Sequence, residues 1–222
     1  MNGLRFTAWL EKRKTLSSGK PALKAVNKMP KDIKDHSIIL IGPMGTGKSS
    51  TSKILRDVRH MDRISLDNKD RFSDLFKTRH KFKNYKNFEF VLVSSVLSSL
   101  KEPTIVDFGA SHSVYEDKDV FSLMKQICGN FKHVFLLLPT ENEINSDGSM
   151  NFNRNSQILK LRLSEDNHRP WEGNLHFENR MKENDHFLTC HCNYDLATKV
   201  IYQNNRSIEQ VALLIDNEIN KN

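Results

Sequence analysis

The stretch IILIGPMGTGKSSTSKIL, residues 38–55, decides the architecture of this chain. Four consecutive branched apolar residues, Ile38 to Ile41, read as a strand buried on both faces. A glycine-rich turn follows, then a helix over Ser49–Val58. The turn fits G-x-x-x-x-G-K-[ST] with Gly42, Gly47, Lys48 and Ser49. Gly42, Gly45 and Gly47 permit backbone angles that a side chain disfavours. The backbone N–H groups of such a loop converge on phosphate oxygens, and the helix N-terminus adds its unpaired donors and the positive end of its dipole. A nucleotide's phosphates would therefore lie over Gly42, Pro43, Met44, Gly45, Thr46, Gly47, Lys48, Ser49 and Ser50. Lys48 can reach the terminal phosphates, and Ser49 is placed to ligate Mg²⁺.

Working outward, the remaining strands fall at intervals filled by helices. Arg63–Asp67 reads as a short strand ending in a carboxylate. Asp70–Lys83 is polar with Phe72, Leu75, Phe76 and Phe82 and is expected to be helical, and Phe88–Leu100 is a more apolar helix. Pro103–Asp107 is an apolar strand that delivers Asp107 to its carboxyl end. A carboxylate there can hold a Mg²⁺-bound water beside a phosphate loop. Gly109 and Ala110 leave room for a substrate to approach the backbone, and His112 follows. Asp119–Cys128 reads as a helix and His133–Leu138 as a fully buried strand. Pro139–Asn155 is a polar segment long enough to be functional or mobile. Helices over Gln157–Glu165 and Phe177–Phe187 precede a last strand, Lys199–Gln203. Ser207 to Gln210 spells a capping box for a final amphipathic helix. Strands alternating with helices predict an α/β fold in which a five-stranded parallel sheet is flanked by helices on both faces.

At 222 residues, a single domain is expected. The net charge of +7 is uneven. Residues 1–36 carry nine Lys/Arg against Glu11, Asp32 and Asp35, which leaves the remainder at +1. The chain is therefore read as a basic N-terminal extension, 1–36, and a domain over 37–222 with a lid region at about 139–173. Basic runs usually solvate a helix face, so the extension is expected to pack on the domain edge, with Phe6, Trp9 and Leu10 on a short amphipathic helix. The functional alternatives are an arm for RNA or another anionic surface, or an organellar presequence. No apolar run approaches the ~20 residues that span a bilayer, and no hydrophobic signal core opens the chain. Membrane partnership is not expected. Three cysteines, Cys128, Cys190 and Cys192, without framework spacing indicate reduced thiols and a cytoplasmic protein. Cys190-His191-Cys192, with His186 nearby, lacks a second C-x-x-C or paired histidines and is not read as a metal framework.

The opening stretch, Asp67, Val106–Ala110, the Arg169-Pro170 pair and the closing strand and helix together resemble shikimate kinase and its relatives among the nucleoside-monophosphate-kinase-like P-loop kinases. The resemblance covers about 37–222. It implies a three-layer P-loop NTPase fold with a small lid, ATP and Mg²⁺ as cofactors, and phosphotransfer to a hydroxyl of a small molecule. It implies that Arg162 stacks near adenine, that Arg169 is the lid arginine, and that Asp67 lies near Mg²⁺ or the acceptor hydroxyl. Arg162 and Arg169 are about two helical turns apart, and arginines on a closing element neutralise charge on a transferred phosphoryl group. Lys48, Asp67 and Arg169 are thus the catalytic candidates, with Ser49, Asp107 and Asp67 as metal candidates.

The acceptor side departs from the family. Lys69 stands where the second carboxylate of D-x-D belongs, Glu89 where an arginine would hold the substrate carboxylate, and Cys190 near the place of the last substrate arginine. A Gly-Gly-Gly run is replaced around Phe108-Gly109-Ala110. Lys69, Glu89, Gly109 and His112 are the candidates for a rebuilt acceptor pocket, and shikimate is not expected as the substrate. An unpaired carboxylate at Glu89 would favour a neutral or cationic acceptor. The alternative is an ATP-binding regulatory or partner/RNA-binding module that transfers nothing.

Overall fold

The structure, a computed structural model, describes residues 20–166 and 173–221 except Lys69, Thr78 and Lys83. Two helices, α1 (Lys20–Asn27) and α2 (Lys31–His36), lead into β1 (Ile38–Ile41). The chain continues through α3 (Lys48–Arg59), β2 (Asp62–Ser65), α4 (Ser73–Lys77), α5 (Tyr85–Ser98), β3 (Thr104–Asp107), α6 (Lys118–Cys128) and β4 (His133–Leu138). A small ribbon, β5 (Glu143–Ile144) and β6 (Met150–Asn151), precedes α7 (Asn153–Ser164), α8 (Asn174–Thr189), α9 (His191–Leu196), β7 (Lys199–Tyr202) and α10 (Ile208–Asn220).

The main sheet has the order β2-β3-β1-β4-β7 and is parallel throughout. β1 is central and all four of its residues are buried, as its unbroken apolar run requires. Successive side chains of a strand face opposite sides, and the two cores follow that alternation. Ile39, Ile41, Val106, Val134 and Leu136 join α1, α5 and α6 on one face. Ile38, Leu40, Ile105, Phe135 and Leu137 join Leu55 of α3 and Val211, Ala212 and Ile215 of α10 on the other. The result is a three-layer α/β fold.

α5 is apolar nearly all round, and Phe88 to Leu97 are all buried because α1 covers the side that the sheet does not. Ala22, Val26, Met29 and Ile33 belong to the same core, so the packed unit reaches back at least to Lys20, ahead of the boundary at 37 suggested by charge. The remainder of the expected extension, including the Trp9 segment, lies outside the described residues.

Three segments differ from expectation. Residues 70–83 form not one helix but α4 and a 3-10 turn at Arg79–Lys81. The break brings both Phe76 and Phe82 edge-on to Phe88, with centroids at 5.1 and 5.5 Å. Asn84 then caps α5, its side chain accepting from Asn87 N at 2.8 Å, so the helix starts three residues before Phe88. The polar segment after β4 forms the β5–β6 hairpin around Gly148, and α7 starts at Asn153. Its base is tied down by buried Asn155, which accepts from Thr140 N at 2.9 Å and donates to Thr140 O at 2.9 Å and to Asn142 Oδ1 at 2.8 Å. Ser207 and Gln210 form the expected reciprocal cap of α10. Among the described residues no helix is long and apolar enough to cross a membrane.

Candidate active site

The carboxyl ends of β1, β2 and β3 open on one cavity of about 800 Å³, the position at which open parallel sheets hold ligands. One side of it is the loop between β1 and α3. Gly42 has φ +137°, and a Cβ there would lie 2.7 Å from Leu137 O of the adjacent strand, so conformation and packing both exclude a side chain. Gly47 has φ +71° and abuts Ile208 of α10, whose Cδ1 would meet a Cβ at 2.8 Å. Lys48 is buried, and its Nζ donates to Gly42 O at 2.7 Å and Pro43 O at 2.8 Å. The ammonium is therefore already held over the loop that a phosphate would enter. Thr46 Oγ1 closes the turn on Pro43 O at 3.0 Å, and Ser49 and Ser50 are exposed on the first turn of α3, facing the cavity.

Two residues that motif reading missed brace this loop. Buried Asn184 of α8 accepts from Met44 N at 2.6 Å and donates to Met44 O at 3.2 Å, a two-point clamp on one loop residue. Buried Gln203, at the carboxyl end of β7, donates to Thr46 O and accepts from Arg162 of α7. Arg162 also reaches Gly45 O at 3.5 Å, so its guanidinium rests against the glycine-rich loop. Gln203 was findable in principle, since strand ends are where ligands bind. Nothing in the local sequence around Asn184 marks it.

Asp107 is buried at the end of β3. Its Oδ2 accepts from Arg63 Nη2 at 2.8 Å, and Arg63 also donates to Ser52 Oγ on α3. Asp107 Oδ1 has no hydrogen-bond partner among the described residues. A buried carboxylate oxygen rarely stays unpaired. With the Ser49 hydroxyl at the cavity mouth, this donor set fits a hydrated Mg²⁺, which prefers oxygen ligands and retains waters.

The other side of the cavity is assembled from four segments. Asp67 is exposed just beyond β2, and its carboxylate lies against Gly109: a Cβ on Gly109 would be 2.2 Å from Asp67 Oδ1 and 2.9 Å from His112 Nδ1. Gly109 is thus the place where the β2 and β3 ends meet. Its N–H donates to His112 Nδ1 at 2.9 Å, which assigns the ring proton to Nε2, 3.8 Å from Glu89 Oε1. Burial lowers the His112 pKa to about 4, the nearby Glu89 opposing that shift only in part, so the ring is neutral at pH 7. His112 was expected to line the acceptor pocket. It is instead buried, is not part of the cavity lining, and holds Gly109.

Glu89 is a second correction. It is 0% exposed and is not an open carboxylate. Lys86, one helical turn earlier, pairs with it at 2.7 Å, and Ser111 Oγ donates to its other oxygen. Lys86 also donates to Ser111 O at 2.8 Å and lies over the rings of Tyr115 and Phe187, at 5.9 and 5.8 Å. The charge at this position is balanced within the protein, so Glu89 sets no preference for a neutral or cationic acceptor. Arg180 and Glu183 of α8 form a further pair on the cavity wall at 2.7 Å. Lys69 and Arg169 lie outside the described residues.

No protein-family model and no curated protein matches the chain. Solved structures do. A shikimate kinase from Acinetobacter baumannii, in complex with shikimate, aligns over 90% of this chain and 97% of its own, with TM-score 0.55 and 17% identity. A shikimate kinase from Bacteroides thetaiotaomicron aligns over 83% and 98%, with TM-score 0.56 and 16% identity. A gluconokinase from Sinorhizobium meliloti 1021 aligns over 85% and 95%, with TM-score 0.52 and 12% identity. At these identities the likeness is one of fold, and the chain has the three-layer P-loop fold seen in these kinases.

Proposed function

We propose that this protein is an ATP- and Mg²⁺-dependent kinase that phosphorylates a hydroxyl of a small molecule. The observation that carries the reading is the shared cavity: the phosphate loop with Lys48, Ser49 and Ser50 faces Asp67, Ser111 and Lys86 across one space. Kinases with the same fold, acting on shikimate or named for gluconate, support it. The ATP phosphates lie along Gly42–Ser50. Lys48 exchanges its loop carbonyls for phosphate oxygens, and Arg162 approaches from the Gly45 side. Arg169 is proposed as the lid arginine. Ser49 and, through water, Asp107 or Asp67 would hold Mg²⁺, which would neutralise charge on the transferred group. Asp67, wedged against Gly109, orients the acceptor hydroxyl and takes its proton. Phosphoryl transfer relies mainly on positioning and electrostatics, so a rebuilt acceptor wall is compatible with it. The paired charges Lys86–Glu89 and Arg180–Glu183 suit a polyhydroxylated acceptor that exchanges hydrogen bonds with both members of a pair.

The same internal pairing favours a second reading, an ATP-binding module that transfers nothing, because an acceptor must compete with contacts already made. ADP production with Mg²⁺ across a panel of hydroxylated metabolites, beside Lys48→Ala, decides between them. Acceptor-dependent turnover lost in the variant supports the kinase. Tight ATP binding without turnover on any acceptor supports the module, and absence of ATP binding rejects both.

A further inference from the structure

The joint between α8 and α9 carries a cluster that the proposed reaction does not use. Cys190 Sγ, a ring nitrogen of His191 and Cys192 Sγ all lie within 4.8 Å of one another. Three consecutive residues on a continuous helix would point about 100° apart. They converge because Cys190 sits between the helices in extended conformation, φ −65° and ψ 122°, as C-cap of α8 and N-cap of α9. Each donor is oriented by a neighbour. Cys190 Sγ accepts from Cys192 N at 3.4 Å, the His191 ring stands edge-on to Phe121 at 5.7 Å, and Cys192 Sγ contacts Tyr115 O at 3.4 Å.

We infer that Cys190, His191 and Cys192 form a binding site for Zn²⁺ or a similarly thiophilic cation, with its remaining coordination position open to solvent. Two thiolates and an imidazole are the ligand types of zinc sites that keep one open position. Tetrahedral coordination with Zn–S near 2.3 Å sets ligand atoms about 3.5–3.8 Å apart. The cluster must therefore contract by about 1.3 Å at most. Rotation of exposed His191 and half-exposed Cys190 about buried Cys192 supplies that movement. Binding releases the thiol protons, including the one that Cys192 directs to Tyr115 O.

The site sits where both acceptor walls are anchored. α8 carries Phe187, Glu183 and the Asn184 clamp. Asn193 of α9, one residue past the cluster, accepts from Ser113 Oγ at 2.6 Å and donates to Phe187 O at 2.6 Å. A bound ion would stiffen the joint between α8 and α9.

The test is titration of the reduced full chain, without a histidine tag, with Co²⁺ and then with competing Zn²⁺. One equivalent of Co²⁺ is expected to raise a sulfur-to-cobalt charge-transfer band that Zn²⁺ abolishes. Cys190→Ser should remove the band, and His191→Ala should weaken binding by tenfold or more. Both residues have solvent access, and circular dichroism checks that each variant folds. Cys128→Ala should change nothing, because that thiol is buried elsewhere, with its pKa pushed up to about 12. Lack of the band in the wild-type chain, its persistence in Cys190→Ser, unchanged affinity in His191→Ala, or its loss in Cys128→Ala would each overturn the three-ligand site. The readout is independent of whether the protein is a kinase.

Discussion

The two sides of the cavity are built on different principles. The phosphate side is contiguous, nine residues from Gly42 to Ser50, and works through backbone geometry. The acceptor side takes Asp67, Lys86, Glu89, Ser111 and Arg180 from four separate segments and works through side chains that satisfy one another. A loop of the first kind tolerates little change because glycine angles and strand contacts leave no slack, as at Gly42 against Leu137 O. A wall of the second kind can be rebuilt in balanced pairs. Glu89 can be buried there because Lys86 lies one turn earlier to answer it.

The sharpest way to break this comparison is Lys48→Ala. It should lower acceptor-dependent ADP production by about 10²–10³-fold, the range for loss of one donor that stabilises transition-state charge. Retention of most activity would mean that the loop does not carry the chemistry. Next in size is Lys86→Ala on the acceptor side. It leaves the fully buried Glu89 carboxylate without its cation and should cost about 2 kcal/mol in denaturant unfolding, less than for a fully enclosed pair because Lys86 is partly exposed. A neutral result would show that Ser111 alone suffices to hold Glu89.

Asn184→Ala sharpens the comparison by cutting the main brace between the two sides. Removing both bonds to Met44 should cost about 1–2 kcal/mol of stability. It should also raise the KM for ATP more than that for the acceptor, which steady-state kinetics would read out. Equal effects on both would place Asn184 in the general scaffold.

The smallest effect per step is set by pH. His112 has its folded pKa lowered to about 4 from an ordinary 6.5, mainly by burial. Between those values the unfolded chain binds a proton that the folded chain does not, so folding weakens as pH falls. The contribution is intact above about 6.5 and is lost by at most about 1.4 kcal/mol per pH unit on the way down to 4. His133, also held near 4 by burial, adds to the slope. His112→Asn should therefore flatten the pH dependence of the unfolding free energy, while a slope identical to wild type would show that His112 is not neutral in the fold.

How much was legible follows the same division. The β1 boundaries, the five parallel strands, the glycine-rich turn and the α10 cap were all readable, because each depends on residues close in sequence. Glu89 was located but misread as unpaired. Its partner at position 86 is at helical spacing, yet only burial of the whole α5 circumference shows that the pair must form. His112 was placed near the site but on its surface, since a loop histidine gives no sign of being covered. Arg63, Asn184 and Gln203 were not found. Each acts through a contact to a segment distant along the chain; only Gln203, at a strand end, carries a local sign of its place.

By itself, then, the sequence determined what backbone conformation and local periodicity can encode: an apolar strand, a glycine turn with its lysine and serine, alternating elements and their caps. The tertiary structure alone decided which charges cancel, which histidine is dry and what braces the loop. The physical reason is that these properties depend on burial and on distances between segments remote in sequence, and both exist only once the sheet and its two helical layers have closed around them.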